Sequence, residues 1–345
     1  MPKNSNQPSS PEQGTLSRRA PLIAGMIVEG SRGIYRVQTA DGNLRCTLRG
    51  RLRKQLEYGE STSGRKGVRQ VKVMEKDPIA PGDRVRLLPT ENHSGIIEEI
   101  LPRESGDFSR RDPGKGQANL TTVAGLDQIV TVFAVQQPEP HLRQLDRFLV
   151  LAEAQEMDAL ICFNKLDLGV EPWLSRRLEV YRSLDYPVLL TSAGSGAGIA
   201  ELRERLAGKT SAFLGSSGVG KTSLLNAVQN GLGERTSAIS DTTHKGRHTT
   251  TGTRLFPLTG PDGGFLADTA GIRAFAFNGS LPRRLDQCFR EFRPYLGACV
   301  LSDCNHRGEP KCAVRAAAQG GTVDPERYDS YCRLVEAGVD LGESE

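Results

Sequence analysis

The residues Gly215-Ser-Ser-Gly-Val-Gly-Lys-Thr222 match the pattern G-x-x-x-x-G-K-[ST] and decide the fold of this chain. The apolar run Ser211–Leu214 precedes them, and a helical pattern over Lys221–Val228 follows. Glycines in such a loop let backbone N–H groups converge on phosphate oxygens at a helix N-terminus. The stretch predicts a phosphate-binding loop in which Lys221 reaches the β- and γ-phosphates and Thr222 binds magnesium. The nucleotide-binding residues expected here are Gly215, Ser216, Ser217, Gly218, Val219, Gly220, Lys221, Thr222 and Ser223.

The segments around this loop alternate between strand-like and helical patterns. Apolar runs typical of buried strands occur at Gln128–Val135, Ala159–Phe163, Pro187–Leu190 and Ser211–Leu214. Between and after them, helical patterns cover Leu142–Glu156, Trp173–Leu184, Ile199–Leu206 and Lys221–Val228. This rhythm predicts a parallel sheet with helices on both faces.

Two short motifs indicate that the base of the nucleotide is guanine. Asn164-Lys165-Leu-Asp167 follows an apolar strand, as the N-K-x-D element of GTPases does. The Asp167 carboxylate can accept hydrogen bonds from the ring N–H and the exocyclic amine of guanine, a pair that adenine lacks. Thr191-Ser192-Ala193 also follows a strand and resembles the S-A element, whose backbone N–H contacts the guanine carbonyl.

A fourth motif and the order of all four carry further information. Asp268-Thr-Ala-Gly271 matches D-x-x-G, in which the aspartate holds magnesium through water and the glycine N–H contacts the γ-phosphate. In ordinary GTPases the phosphate loop comes first, but here the two guanine motifs precede it. Strands pair by their position in space, so a circularly permuted chain can form the same sheet. This order leads the chain from Asp268–Gly271 directly into its C-terminal part.

The N-terminal part is basic and strand-rich. Residues 1–115 carry 21 Lys and Arg against 14 Asp and Glu, whereas the remainder carries 24 against 27. Five short strand-like segments, in which apolar and polar residues alternate, lie between Ala24 and Arg103 and are separated by turn residues. They predict a small OB-like β-barrel. Positive charge on such a barrel favours a polyanionic partner, although a solvated basic face would show the same composition. The candidate RNA contacts are Arg45, Arg49, Arg51, Arg53 and Lys54.

Three cysteines and a histidine cluster near the C-terminus. Cys299, Cys304, His306 and Cys312 lie within fourteen residues and supply enough ligands for a closed tetrahedral zinc site. Buried cysteines without a metal are the alternative interpretation, and Cys332 lies outside the pattern. Short helices are expected around the cluster, at Leu281–Arg293, Ala313–Gln319 and Pro325–Glu336. The odd total of seven cysteines does not suggest a disulfide framework, which favours a reducing cytoplasmic location.

A basic OB-like barrel, a permuted GTPase domain and a cysteine-rich C-terminal unit together resemble the ribosome small-subunit-dependent GTPase A family, RsgA. The likeness spans about Leu22 to Glu336. It implies binding of GTP or GDP with Mg²⁺, one structural Zn²⁺, and a role in late maturation of the bacterial small ribosomal subunit with contacts to its rRNA. It also implies that Thr250, in the predicted switch I Gly246–Thr251, contacts magnesium and the γ-phosphate.

The residue after D-x-x-G predicts slow intrinsic hydrolysis. Ras-like enzymes place a glutamine there to orient the attacking water, but this chain has Ile272. We therefore take His248 as the candidate water-orienting residue, with packing or RNA binding as the alternative interpretation of this side chain. Thr250 and Lys221 are the other candidate catalytic residues. Related proteins commonly have proline where this chain has Ala270, a change that leaves Asp268 intact.

The sequence predicts five regions: a disordered tail (1–20), an OB-fold RNA-binding domain (21–103), a linker (104–119), the GTPase domain (120–278) and a helical zinc-binding domain (279–345). No apolar run approaches the length of a membrane helix, and we expect a cytoplasmic monomer. Two other functions fit the sequence. One is a GTP-controlled RNA-binding scaffold with little turnover, and the other is a permuted GTPase that acts on another ribosomal particle.

Overall fold

The computed structural model describes residues 21–31, 33–53, 79–103, 108–111, 119–233, 254–260, 263–267 and 284–338. At positions 31, 108–111 and 119–122 it describes the backbone alone. Among the helices of these ranges, none has the combination of length and apolar character needed to cross a bilayer.

The first five strands form the predicted barrel. They are β1 (Ile23–Ser31), β2 (Ile34–Thr39), β3 (Gly42–Leu48), β4 (Arg84–Thr90) and β5 (Ser94–Ile100). The order β1-β2-β3-β5-β4 closes because β1 also pairs with β4. Alternate residues of each strand face inward, so Ile27, Tyr35 and Val37 fill the barrel core. Closure pairs every strand of the barrel on both sides and removes its open edges.

The predicted linker contains regular structure. Strand β6 (Phe108–Arg111) lies inside 104–119 and pairs antiparallel with β7 (Asn119–Val123). The sequence does not predict this strand pairing, because the segment is rich in glycine and charged residues. The four residues of β6 are also too few to show an alternation of apolar and polar residues. The domain boundaries themselves remain a prediction.

The central domain is a six-stranded sheet with the order β10-β9-β8-β11-β13-β12. Its strands are β8 (Gln128–Ala134), β9 (Asp158–Asn164), β10 (Val188–Leu190), β11 (Thr210–Leu214), β12 (Leu255–Pro257) and β13 (Phe265–Ala267). All pairs are parallel except β12 with β13. Every residue of β8 and β11 is buried, as expected when helices cover both faces of a parallel sheet.

Four helices cover this sheet, close to the predicted positions. They are α1 (Leu142–Ala154), α2 (Pro172–Ser183), α3 (Ile199–Leu206) and α4 (Lys221–Val228). Two apolar cores result. One contains α1 and α2, and the other contains α3 and α4.

The C-terminal unit contains α5 (Ala313–Gln319) and α6 (Pro325–Glu336), as predicted. The described part of Leu281–Arg293 is helical, as predicted, but it is not one continuous α-helix. Two 3₁₀ segments, Leu285–Cys288 and Arg290–Tyr295, replace it. The Asp286 side chain accepts a hydrogen bond from the backbone N–H of Gln287, and Phe289 between the segments is extended. Such side-chain bonding competes with helical backbone bonding.

Candidate guanine-nucleotide site and metal centre

The two guanine motifs and the phosphate loop lie at one edge of the central sheet. Asn164 is the last residue of β9, Thr191 follows β10, and Gly215 follows β11. These strands run parallel, so their carboxyl ends lie on the same side. Ligands of open α/β sheets bind in the crevice outside these ends. The permuted chain order has therefore not separated the motifs in space.

The phosphate loop has the conformation that its glycines predict. Gly218 and Gly220 adopt φ angles of 81° and 88°, a region that favours glycine. The Nζ of Lys221 donates to the carbonyl oxygens of Gly215 and Ser216, each at 2.6 Å, and so lies across the loop. Helix α4 begins at Lys221, which places its positive N-terminal end at the loop. Loop, ammonium and helix together suit a bound phosphate group.

Asn164 connects the base-reading motifs to the phosphate loop. Its Nδ2 donates to the carbonyl oxygen of Val219 at 3.1 Å, and its Oδ1 accepts from the backbone N–H of Ala193 at 3.2 Å. Asn164 is 2% exposed, so these bonds are made in a nearly dry environment. A Cβ on Gly220 would lie 2.5 Å from this Nδ2, so this contact leaves no room for a side chain on Gly220.

Asp167 and Lys165, the other two named residues of the predicted guanine motif, lie beside Asn164. The Oγ of buried Ser192 donates to Asp167 Oδ1 at 2.5 Å, which orients an otherwise exposed carboxylate. Lys165 has a left-handed backbone (φ 64°), and its Nζ donates to the carbonyl oxygen of Gln137. The donors and acceptors present therefore fit a guanine base next to a phosphate chain.

Four predicted site residues lie outside the described residues: Asp268 and Gly271 of the D-x-x-G motif, and His248 and Thr250 of switch I. The strand before Asp268 is described. Ala267, at the end of β13, is in parallel register with Ala212 of β11. The roles of the four residues remain predictions.

The four C-terminal metal-ligand candidates are brought together. One potential ligand atom from each of Cys299, Cys304, His306 and Cys312 lies within 4.8 Å of all the others. Cys299 Sγ is 3.9 Å from Cys312 Sγ, and both sulfurs are 3.5 Å from His306 Nδ1. Zinc at its usual bond lengths in a tetrahedron requires separations of about 3.8 Å between sulfurs and about 3.6 Å between sulfur and nitrogen. The cluster fits a structural zinc ion.

Asp286 supports this cluster from behind the histidine. Its Oδ2 is 3.3 Å from Nε2 of His306, the ring nitrogen that faces away from the sulfurs, and Arg284 holds the same carboxylate at 2.9 Å. Burial lowers the pKa of His306, but the hydrogen bonds with Asp286 and Cys312 outweigh burial and raise it to about 9. A carboxylate behind a metal-binding imidazole fixes the ring orientation and its tautomer.

Sequence reasoning missed Asp286 and Gln144. The Oε1 of Gln144, in the first turn of α1, accepts from Ser216 Oγ of the phosphate loop at 2.8 Å. Neither residue belongs to a short motif, and each acts through a partner that is distant in sequence. The side-chain contacts of both residues come from the tertiary structure.

Comparison with known proteins agrees with this architecture. The family model described as RsgA GTPase matches residues 100–278. The "Small ribosomal subunit biogenesis GTPase RsgA" of Gemmatimonas aurantiaca is 43% identical over 314 residues, covering 90% of this chain and 95% of that protein. The protein of the same name from Chlorobaculum parvum is 36% identical over 323 residues, with 91% and 98% covered.

Two solved structures are similar over nearly the whole chain. The crystal structure of YjeQ from Thermotoga maritima has a TM-score of 0.68 and 32% identity, covering 94% of this chain and 100% of that one. The structure of YloQ, described as a circularly permuted GTPase, has a TM-score of 0.67 and 27% identity, with 93% and 96% covered. Sequence and architecture together show that this chain belongs to the RsgA GTPase family of GTP-hydrolysing enzymes.

Proposed function

We propose that this protein binds the small ribosomal subunit and couples GTP hydrolysis to late maturation of that subunit and to its own release. The observation that carries the proposal is the position of Asn164, which joins the phosphate loop at Val219 to the base-reading element at Ala193. The residues of this site belong to a chain that is similar over 90% of its length to a protein named small ribosomal subunit biogenesis GTPase RsgA. We infer that it acts as a cytoplasmic monomer.

In this proposal the described residues bind and orient GTP. Asp167 and Ala193 read the base, while Gly218, Gly220 and Lys221 hold the phosphates. Thr222 and Asp268 hold Mg²⁺, which supplies charge neutralisation at the β- and γ-phosphates. The N-terminal end of α4 adds a fixed positive dipole at the same place.

The proposal assigns water orientation to His248, because Ile272 cannot perform it. Hydrolysis by the isolated protein is then slow, and the small subunit stimulates it by ordering the switches. Completing a phosphoryl-transfer site through a partner is worth roughly 10³ to 10⁵ in rate. Thr250 contributes its hydroxyl to magnesium and the γ-phosphate.

The barrel and the zinc unit supply the rRNA contacts in this proposal. Arg45 on β3 and Arg49, Arg51 and Arg53 just after it are exposed, and Arg49 also pairs with Glu98 at 2.8 Å. Lys54, the fifth candidate, lies outside the described residues. Contacts of such cations with phosphates make binding strongly dependent on salt.

The test is GTP hydrolysis by the purified protein alone, with small subunits and with large subunits. We expect stimulation by small subunits alone, and its loss in Lys221→Ala. Lys209→Ala is the matched control, because this exposed lysine pairs with Asp158 just before β11, at the opposite end of that strand from the phosphate loop. His248→Ala should lower stimulated turnover and leave GDP binding intact.

Each other function has its own signature in this experiment. No stimulation by either subunit, with GTP-dependent binding to small subunits, would indicate an RNA-binding scaffold with little turnover. Stimulation by large subunits alone would indicate an enzyme of another ribosomal particle. Either result would overturn the proposal.

A further inference from the structure

Helix α1 belongs to two hydrophobic cores. Leu145 and Leu149 are fully buried in the core of the central sheet. Val150 and Ala154, on another face of the same 13-residue helix, are buried in the core of the C-terminal unit. A helix packed on both sides transmits a displacement of one side to the other, because protein interiors are close-packed.

Charged side chains fasten the C-terminal unit to this helix in the interior. Asp146 Oδ1 of α1 accepts from Arg327 of α6 at 2.7 Å and from Tyr181 Oη of α2 at 2.9 Å. Asp146 Oδ2 accepts from Ser330 Oγ of α6 at 2.5 Å. Arg327 is completely buried and also forms a bidentate pair with Glu291 at 2.7 and 3.0 Å. Breaking such a pair leaves an uncompensated buried charge, so moving α6 relative to α1 would be costly.

A second ionic contact lies two turns further along α1. Glu153 accepts from Arg290 at 2.6 Å and from Arg293 at 2.5 Å, both in the 3₁₀ segment Arg290–Tyr295. The guanidinium of Arg290 also stacks over the ring of Tyr186, 3.9 Å from its centre. The C-terminal unit is thus held at two points along α1.

The N-terminal end of α1 and the loop before it contact the nucleotide site. Gln144 accepts from Ser216 Oγ at 2.8 Å, two residues before Asp146. The carbonyl of Gln137 accepts from Lys165 of the guanine motif. A Cβ built on Gly218 would lie 3.7 Å from Pro138, so this loop runs alongside the phosphate loop.

We propose that the C-terminal zinc unit positions the phosphate loop through α1, so that zinc binding and guanine-nucleotide binding are thermodynamically coupled. Gln144 is the positioning residue of this coupling. Arg327 holds α1 at Asp146, and Gln144, two residues earlier on the same helix, contacts the phosphate loop. The inference rests on the proposed function and on zinc binding by the cluster of Cys299, Cys304, His306 and Cys312.

The chain offers a second route between the same two sites. Residues after Asp268 lead directly into the C-terminal unit, so coupling could also run along the backbone. A change at Gln144 separates the two routes, because it removes the Ser216 contact and leaves both the buried charges and the chain connection intact. The α1 route predicts loss of coupling in that variant.

The experiment measures the dissociation constant of a fluorescent GDP analogue for the full-length protein, zinc-loaded and chelator-stripped, without ribosomal subunits. We expect zinc to tighten binding about fivefold, the lower end of typical coupling between sites. In Gln144→Ala the ratio should fall close to one. Gln229→Ala is the matched control. The Oε1 of Gln229 accepts hydrogen bonds from Thr259 and not from the phosphate loop, so this variant should keep the wild-type ratio.

Reciprocity provides the second readout. Equilibrium competition with a chromophoric chelator should show that GDP tightens zinc binding by the same factor, and that Arg327→Met abolishes this effect. Equal GDP affinity with and without zinc in the wild type, or an unchanged ratio in Gln144→Ala, would overturn the inference while leaving the proposed function untouched. A protein that binds no zinc would overturn the zinc assignment as well.

Discussion

The central sheet and the C-terminal unit are stabilised in different ways. The sheet places uninterrupted apolar strands between two layers of helices, and all seven residues of β8 are buried. The C-terminal unit is built from two 3₁₀ segments and two helices, and no strand occurs within its described residues, 284–338. It relies on a cluster of four metal-ligand candidates and on buried charges shared with α1.

This difference determines where each region is vulnerable. Burial of apolar strands stabilises the sheet without any ligand, in proportion to the area removed from water. The C-terminal unit has a small core, and short elements of this kind usually need a metal or a neighbouring domain for stability. The two regions should therefore respond differently to metal removal, charge deletion and pH.

The largest expected effect is that of Cys304→Ser. Apparent zinc-binding free energies of about 10–16 kcal/mol are typical of small structural sites, so losing a buried ligand should unfold much of residues 284–338. Hydrogen exchange and limited proteolysis should show this loss while the central sheet stays protected. Cys332→Ser, outside the cluster, is the control and should resemble the wild type. Full protection of the unit in Cys304→Ser would contradict the comparison.

Arg327→Met should have the next largest effect, a loss in the free energy of unfolding. It leaves Asp146 and Glu291 buried without their cationic partner, which costs about 3–5 kcal/mol. Urea denaturation should show the loss. Arg333→Met, which removes an exposed pair with Asp329, should leave the free energy of unfolding close to that of the wild type. Similar values for the two variants would mean that the buried charges do not hold the unit in place.

Asp167→Asn tests the site rather than the scaffold. Hydrogen bonds to charged groups contribute about 1.5–3 kcal/mol, so GDP affinity should fall roughly 10- to 100-fold. The free energy of unfolding should stay near that of the wild type, because Asp167 is exposed. Xanthosine diphosphate should bind this variant better than GDP does, since an amide N–H can donate to the extra carbonyl of xanthine. Unchanged preference for GDP would contradict the assignment of Asp167 to the base.

The smallest effect concerns the pH dependence of the C-terminal unit. Burial raises the pKa of Asp324, but the hydrogen bonds from Arg177 and from the backbone N–H of Arg327 lower it by more. The net effect is a folded-state pKa below the ordinary value of an aspartate. Because the folded pKa is the lower one, this contribution is complete above about pH 4 and is lost as pH falls through the folded value. Urea denaturation at pH 6 and pH 3 should show a difference in unfolding free energy between wild type and Asp324→Asn that is smaller at pH 3 than at pH 6. A difference that does not depend on pH would rule out this ion pair as its source.

Much of the central domain was predictable from the sequence. The bounds of α3 and α4 agree with the predicted Ile199–Leu206 and Lys221–Val228, because local periodicity and the phosphate-loop glycines set them. The closed barrel and the C-terminal metal-ligand cluster were predictable as well. Strand alternation and ligand spacing are properties of short segments, which a single sequence displays directly.

The side-chain connections between distant segments were not predictable. The contacts of Asp146 with Arg327, of Gln144 with Ser216 and of Asp286 with His306 join residues that are far apart in sequence. No pattern in the sequence indicates these pairs. Asp286, in the first 3₁₀ segment, is also held by Arg284 and by a backbone N–H. Burial of these charges depends on which surfaces meet when the domains pack.

The sequence alone therefore determined the class of chemistry, the guanine preference and the metal-ligand set. Only the folded chain shows how the nucleotide site and the cysteine–histidine cluster are connected, through a helix with no motif of its own. The physical reason is one of range. Backbone periodicity and motif geometry act over a few residues, whereas the partner of a buried charge is chosen by the packing of the whole chain.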